Sequence, residues 1–294
     1  MQLTDEHLET FHEQGFVVIE NYYPEEKRSR IAAAIRESHP PWEIMKDREP
    51  EKLSPPGLLK VRFPYDNMLF NELTADWDLI SFVQRVLETE EIHFRYAHNW
   101  ARYPVDVPPH FLHMDIGNNS LLPPIGGAPY GQISSWYFPE EVAEDQAPML
   151  VIPRQYGRDM SRSQLLVVPA GTQMIFNNHI WHAATRFKRK DSQRYSVTRI
   201  YGRADHYWEG VSCITNLGRN QNFCRFIGSL TAREREIFRF PPAGHPIYTR
   251  EHLALMEGQY PGWNARGEYL PGEEIEALDD PHLFGVGYLP DELK

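Results

Sequence analysis

The chain has 294 residues, long enough to bury a full core without disulfides or structural metals. Hydrophobic residues make up 41% and charged residues 24%, which excludes wholesale disorder, and 24 prolines argue against a protein of long helices. With 30 Lys and Arg against 41 Asp and Glu, the formal charge of −11 argues against nucleic acid or an anionic membrane as a partner. Two cysteines, Cys213 and Cys224, are too few for a disulfide framework or a Cys-rich zinc site. No basic and apolar leader opens the chain, and apolar runs such as Leu165–Val168 are far too short to span a membrane. The expectation is a cytoplasmic protein.

Thr4 is placed to cap a first helix that ends at Gly15, and Phe16–Ile19 follows as a short strand. Tyr23-Pro24-Glu25-Glu26 opens a second helix with Ile31, Ala34 and Ile35 on one face. The proline-rich stretch from His39 to Pro64 reads as loop. Leu79, Phe82, Val83 and Val86 recur at helical spacing and predict a helix over Trp77–Leu87. Eight short strand-like runs come next: Ile92–Trp100, Phe111–Asp115, Gln132–Phe138, Met149–Pro153, Gln164–Val168, Gln173–Phe176, Ile180–Ala184 and Arg194–Tyr201. So many short strands in about a hundred residues predict a sandwich or jelly-roll barrel. The tail from about Ala204 is rich in proline and aromatics, with helices expected near Thr231–Phe238 and Thr249–Glu257.

Thirteen histidines are too many to single out by type alone. His113 and Asp115 are two apart, so on a strand an imidazole and a carboxylate point to one face. His182 lies 67 residues after the His113–Asp115 pair, behind the turn at Pro169–Thr172, where a jelly-roll strand can return beside the first. Two histidines and one carboxylate suit non-haem Fe(II) with open coordination positions. His179, three residues from His182, faces the other way and reads as a loop residue. Arg194 and Ser196 share a strand face, and a guanidinium beside a hydroxyl suits the far carboxylate of a dicarboxylate co-substrate. Arg186, Lys188, Arg189, Lys190 and Arg199 read as a solvated turn.

The ordered set resembles the phytanoyl-CoA dioxygenase-like (PhyH-type) Fe(II)/2-oxoglutarate oxygenases. The resemblance rests on Phe11-His12-Glu13-Gln14-Gly15-Phe16-Val17-Val18-Ile19, on His113-x-Asp115, on Trp136, on Asp145 to Pro153, and on His182 and Arg194. It runs from about Thr4 to Tyr201. Two segments depart from the pattern: Arg154-Gln155-Tyr156 stands where Gly-Ser-His is usual, and His182-Ala183-Ala184-Thr185-Arg186 lacks the common Ser and Asn.

The resemblance implies a mainly β fold, a double-stranded β-helix (jelly roll, cupin-like) with N-terminal helices and a helical, loop-rich C-terminal extension. It implies a single oxygenase domain over 1–294: helical support to about 90, a jelly-roll core over 91–203, and an extension over 204–294. His113, Asp115 and His182 are then the metal ligands, and no further catalytic residue is expected. Arg194, with Ser196, binds 2-oxoglutarate; Trp136 lines its pocket or is a plain core aromatic; Arg102 is a further candidate contact. The cofactors are Fe(II), 2-oxoglutarate and O2, with succinate and CO2 released as a small-molecule substrate is hydroxylated. A carboxylate at Asp115 favours hydroxylation over halogenation. The loops Tyr103–Pro109 and Leu121–Gly131 are expected to shape the entrance. Tyr207, Trp208, Phe223, Tyr248, Tyr260 and Trp263 read mostly as core packing, with a barrel mouth or a homodimer interface as the other placements. The charge of −11 argues mildly against a CoA thioester. The different class to set beside this is a catalytically inactive, cupin-like metal or small-molecule binding protein.

Overall fold

A computed structural model describes residues 3–63, 65–106, 111–115, 131–205, 221–235, 240–263 and 265–270. Helix α1 (Asp5–Gln14) is closed at both ends by local chemistry. The Thr4 hydroxyl accepts from the His7 N–H while the His7 ring accepts from the Thr4 N–H, and Gly15 at φ +80° ends the helix. A side chain at Gly15 would sit 2.5 Å from Ile180 Cγ2, so crowding and backbone conformation both require glycine there. Strand β1 (Phe16–Ile19) leaves directly from that turn.

Helix α2 (Glu25–Ser38) follows, and then the region expected to be loop turns out to be structured. It holds a helical turn α3 (Trp42–Met45) and strand β2 (Leu58–Arg62). β2 escaped detection because it is an edge strand, Leu-Leu-Lys-Val-Arg, with no clean alternation and with Pro55, Pro56 and Pro64 close on either side. Helices α4 (Met68–Leu73) and α5 (Trp77–Leu87) complete the N-terminal layer. α5 buries Leu79, Phe82, Val83 and Leu87, each contributing about 1.5–3 kcal/mol of apolar burial.

The strands are β3 (Ile92–Arg102), β4 (Gln132–Phe138), β5 (Met149–Val151), β6 (Gln164–Leu165), β7 (Thr172–Asn177), β8 (His182–Ala184) and β9 (Arg194–Arg203). They form an antiparallel six-stranded sheet in the order β1-β7-β4-β9-β3-β2 and a three-stranded sheet in the order β6-β5-β8. The expected strand Phe111–Asp115 is reduced to isolated bridging at Leu112 and His113; among the described residues His113 bridges His182, beside β8. This is a mainly antiparallel β architecture of jelly-roll type with flanking helices.

The two faces of the large sheet bury different things. Outward, Val17, Ile19, Ala97, Ala101, Tyr137, Tyr195, Val197 and Tyr201 pack on the helices. Inward, Phe16, Phe138, Met174 and Phe176 pack with Met149 and Val151 of the smaller sheet. The C-terminal helices α6 (Gln221–Ser229), α7 (Ala232–Arg235), α8 (Arg250–Gln259) and α9 (Ala265–Glu268) build a separate cluster. Tyr248, Tyr260 and Trp263 belong to it, with the Arg235 guanidinium 3.7 Å above the Trp263 ring. Tyr207, Trp208, Cys213 and the side chain of Phe223 lie outside the described residues. Among the described residues, no helix is long and apolar enough to cross a membrane.

Arg199 corrects an expectation. It is not on a solvated turn but 1% exposed on the outward face of β9. It donates to the Tyr23 hydroxyl (2.9 Å), the Leu73 carbonyl (3.1 Å) and Gln173 Oε1 (2.6 Å), with Asp76 at 3.5 Å. Asp76 in turn accepts from the Tyr22 and Tyr23 hydroxyls. Burial raises the Asp76 pKa, but Arg199 and Tyr23 outweigh it and hold the carboxyl below its ordinary range. This knot ties the helical layer to the sheet.

Asp76→Ala should therefore cost about 3–5 kcal/mol, because it strands the buried Arg199 charge. Arg85→Ala, which breaks only the exposed pair with Asp5, should cost under about 1 kcal/mol. Urea unfolding of both variants checks the contrast, and equal losses would contradict it.

His39 gives a pH prediction. It is fully buried, with Nε2 3.1 Å from the Asn99 carbonyl and Nδ1 2.8 Å from Ser38 Oγ. Burial pushes its pKa down to about 4, against the hydrogen bonds. Because the folded value lies below the unfolded one, the stability is complete above pH 6.5 and is lost as pH falls towards 4. Between pH 7.5 and pH 5 the loss amounts to about 2 kcal/mol. His39→Gln, which cannot titrate, should lose correspondingly less over the same interval in chemical denaturation.

Candidate metal and oxyanion site

The site begins with two backbone hydrogen bonds. His113 N–H donates to the His182 carbonyl (3.0 Å), and His182 N–H donates to the His113 carbonyl (2.9 Å). This reciprocal pair sets the imidazoles side by side, with ring centroids 4.3 Å apart. Each ring is then oriented in the same way. His113 Nδ1 lies 2.8 Å from the Phe111 carbonyl, and His182 Nδ1 lies 3.0 Å from the Ile180 carbonyl. A carbonyl only accepts, so Nδ1 carries the proton and Nε2 presents its lone pair. Both Nε2 atoms lie 3.6 Å from Asp115 Oδ1.

One ligand atom from each of the three residues falls within 4.8 Å of the others, and no other such group occurs among the described residues. The donor set, two neutral imidazoles and one carboxylate, fits a divalent first-row metal. Burial, then His113, pushes the His182 pKa down to about 4, partly offset by Asp115, so the ring is neutral at physiological pH. The histidines are buried while the Asp115 side chain is 35% exposed, so the cluster opens on the carboxylate side. His179 stands apart, in the turn between β7 and β8, where its N–H is held by Asn177 Oδ1.

The arginines sit on the inward face of the large sheet. Arg194 faces Arg102 directly across the β9–β3 pair, and Ser196 faces Trp100. Arg194 is 5% exposed; one Nη donates to the Ala147 carbonyl, and among the described residues its Nε has no partner. Burial, then Arg102, pushes its pKa down to about 9, and burial brings Arg102 to about 10. No carboxylate pairs with either among the described residues. Two guanidinium groups facing each other without an acid form a site that an anion would stabilise.

Rings connect the two groups. The Trp100 Nε1–H donates to Thr198 Oγ1 (2.7 Å), its ring lies 4.9 Å from Trp136, Trp136 lies 5.9 Å from Phe176, and Phe176 lies 5.4 Å from His182. Trp136 is half-buried on this inward face, opposite Thr198 of β9 and Met174 of β7. Sequence reasoning missed Lys60 and Arg62 on β2 and His98 on β3. The signal for β3 was present: Tyr96, His98, Trp100 and Arg102 alternate with the small or polar Ala97, Asn99 and Ala101. Of the expected entrance loops, 107–110 and 121–130 lie outside the described residues.

No family model and no curated protein sequence matches the chain. Solved structures do. HygX from Streptomyces hygroscopicus, with nickel, 2-oxoglutarate and hygromycin B bound, is 15% identical with a TM-score of 0.53, over 68% of this chain and 88% of HygX. The epimerase SnoN, in complex with Fe3+, alpha-ketoglutarate and nogalamycin RO, is 10% identical with a TM-score of 0.52, over 68% and 83%. EvdO2 from Micromonospora carbonacea var. aurantiaca is 15% identical with a TM-score of 0.54, over 69% and 92%. At these identities the likeness is one of fold, the architecture in which HygX and SnoN hold nickel or Fe3+ together with 2-oxoglutarate.

Proposed function

We propose that this chain is an Fe(II)- and 2-oxoglutarate-dependent oxygenase of the phytanoyl-CoA dioxygenase-like type. It hydroxylates a small-molecule substrate and releases succinate and CO2. One observation carries the reading: a two-histidine, one-carboxylate cluster and a buried, acid-free arginine pair share one interior. A metal-binding module without turnover would account for the first and leave the second without a use.

His113 Nε2, His182 Nε2 and an Asp115 oxygen would hold the iron by one face. When bound with 2-oxoglutarate and O2, the iron supplies the oxidation of a substrate C–H bond. The chain's own residues do the rest. The Phe111 and Ile180 carbonyls keep both rings in the ligating tautomer, and second partners of this kind commonly change metal affinity 10- to 100-fold. Arg194 holds the far carboxylate of 2-oxoglutarate, with Arg102 supplying a second charge and Ser196 a hydroxyl. Trp100, Trp136 and Phe176 exclude water between the two ends.

Anaerobic titration of 2-oxoglutarate into the Fe(II) protein, followed by the charge-transfer band of the chelate, tests the arginine. Losing one partner of a buried charged pair costs on the order of 2–5 kcal/mol, so Arg194→Ala should raise the dissociation constant roughly thirtyfold to several-thousandfold. Arg194→Lys should fall between, since an ammonium cannot form the two-bond fork. Ser196→Ala should lose about 1 kcal/mol. Wild-type binding by Arg194→Ala would place the carboxylate elsewhere.

Metal binding is tested by thermal unfolding. At a hundredfold excess over its dissociation constant, Fe(II) or Mn(II) should stabilise the protein by about 2.7 kcal/mol. Asp115→Ala should abolish that increment and the slow 2-oxoglutarate consumption expected without substrate, while the metal-free melting point stays near that of wild type. Turnover by chelator-treated protein would refute the ligand assignment.

A further inference from the structure

One group on the inward face has no task in the reaction just described. His98 is 5% exposed, and among the described residues neither ring nitrogen has a hydrogen-bond partner. Its ring is clamped between Tyr96 (4.7 Å) and Trp100 (4.4 Å). In the register it lies opposite Thr198 on β9 and Arg62 on β2, so it faces the same interior as Trp100 and Trp136. Leaving a buried imidazole without a hydrogen-bond partner is costly, and the ring sits close enough to Asp115 to feel its charge.

The residues beside it are cationic. Arg62 stands directly opposite His98, and Lys60 lies two residues earlier on the same strand face, its ammonium 4.8 Å from the Trp100 ring centroid. Arg62 stands near enough to the Tyr96 hydroxyl to oppose the rise in its pKa that burial causes. Among the described residues neither Lys60 nor Arg62 forms an ion pair. Burial and then Arg62 depress the Lys60 pKa, and Asp115 opposes them. Counting from Arg194, Arg62 and His98 lie one step beyond Trp100 and Ser196 on this face, past the stretch assigned to 2-oxoglutarate, and Lys60 stands level with Trp100 at its border.

We propose that this edge of the interior binds an oxyanion of the primary substrate, a carboxylate or a phosphate monoester, through Arg62 and the Tyr96 hydroxyl, with His98 hydrogen-bonding the bound group from beneath and Lys60 adding charge. The inference rests on the oxygenase reading, because it takes the Arg102–Arg194 pair as already occupied by the co-substrate. It assigns the substrate to the class of small organic acids or phosphate esters. An arginine offers paired donors matched to either oxyanion. The imidazole supplies either a donor or an acceptor, so it can serve the oxyanion or a hydroxyl beside it.

The test uses the full chain loaded anaerobically with Fe(II) and 2-oxoglutarate, titrated calorimetrically with inorganic phosphate and, separately, with acetate. One saturable site per chain is expected for at least one probe: phosphate alone indicates a phosphate ester, acetate alone a carboxylic acid. Arg62→Gln lies on an exposed edge strand and leaves the core intact; it should weaken that binding at least tenfold. His98→Phe keeps a ring between Tyr96 and Trp100 but removes both nitrogens, and should weaken it severalfold. Both variants should retain the 2-oxoglutarate charge-transfer band with wild-type affinity. Binding of neither probe, unchanged binding in Arg62→Gln, or competition between the probe and 2-oxoglutarate would overturn the proposal. Failure of the wild-type protein to form the band would instead overturn the oxygenase reading, and the probe titration would still report on the oxyanion site.

Discussion

The period-2 alternation of β9 is the constraint that organises the molecule. Its outward residues, Tyr195, Val197, Arg199 and Tyr201, meet the helical layer, and its inward residues, Arg194, Ser196 and Thr198, meet the site. Two arginines five residues apart thus point to opposite sides of one sheet, both almost wholly buried. Arg199 is saturated by Tyr23, Leu73, Gln173 and Asp76. Arg194 has one carbonyl and a facing cation. The same side chain is a structural tie on one face and lies beside a second guanidinium on the other, and the difference lies wholly in what surrounds it. A slip of one residue would exchange the two faces and lose both.

The metal cluster depends on a second backbone feature, the reciprocal bonds between His113 and His182. Those bonds belong to the backbone and fix where the two rings stand independently of the side chains' own contacts. Each Nδ1 is oriented by a carbonyl two residues upstream, within its own segment, so two unrelated stretches use one local device. Asp115 completes the cluster because it follows His113 by one strand period, and its partial exposure leaves an approach to the ion. Histidines buried as neutral rings are inexpensive to keep; the depressed His182 pKa records how strongly the surroundings oppose its protonation.

Much of this was legible in the residues. Spacing alone nominated the two histidines, the carboxylate and Arg194, because strand alternation and the order of strands restrict which side chains can converge. The helix over Trp77–Leu87 and the strand over Gln132–Phe138 have the expected bounds, since each carries a strong period of its own. The losses have physical causes. β2 is a one-sided edge strand framed by prolines, and its interior-facing residues are cations rather than hydrophobes. The run Phe111–Asp115 has strand-forming residues but only isolated bridging. Arg199 was grouped with the nearby surface cations because the Asp76 knot that buries it joins segments more than a hundred residues apart in sequence. β3 carries an irregularity between Phe94 and Tyr96, so alternation traced inward from its start lands on the wrong face.

The charge balance teaches a related point. A net −11 describes the sum over the whole chain and chiefly its exposed surface. The interior between the sheets has the opposite sign: Arg102, Arg194 and Lys60 lie in it, with Arg62 at its edge, and Asp115 is the acid placed among them. In that low-dielectric space each cation acts at shorter range and with less screening than any surface acid. Repulsion of an anionic ligand by the distant acidic surface falls off over about 8 Å at physiological ionic strength, whereas the buried guanidinium groups meet the ligand directly. The net charge argues mildly against a CoA thioester, but it does not report where these four cations stand. Their placement sets the local field, which favours anions whatever the overall charge; on the proposed reading the dicarboxylate meets Arg194 and the substrate's own acid meets Arg62.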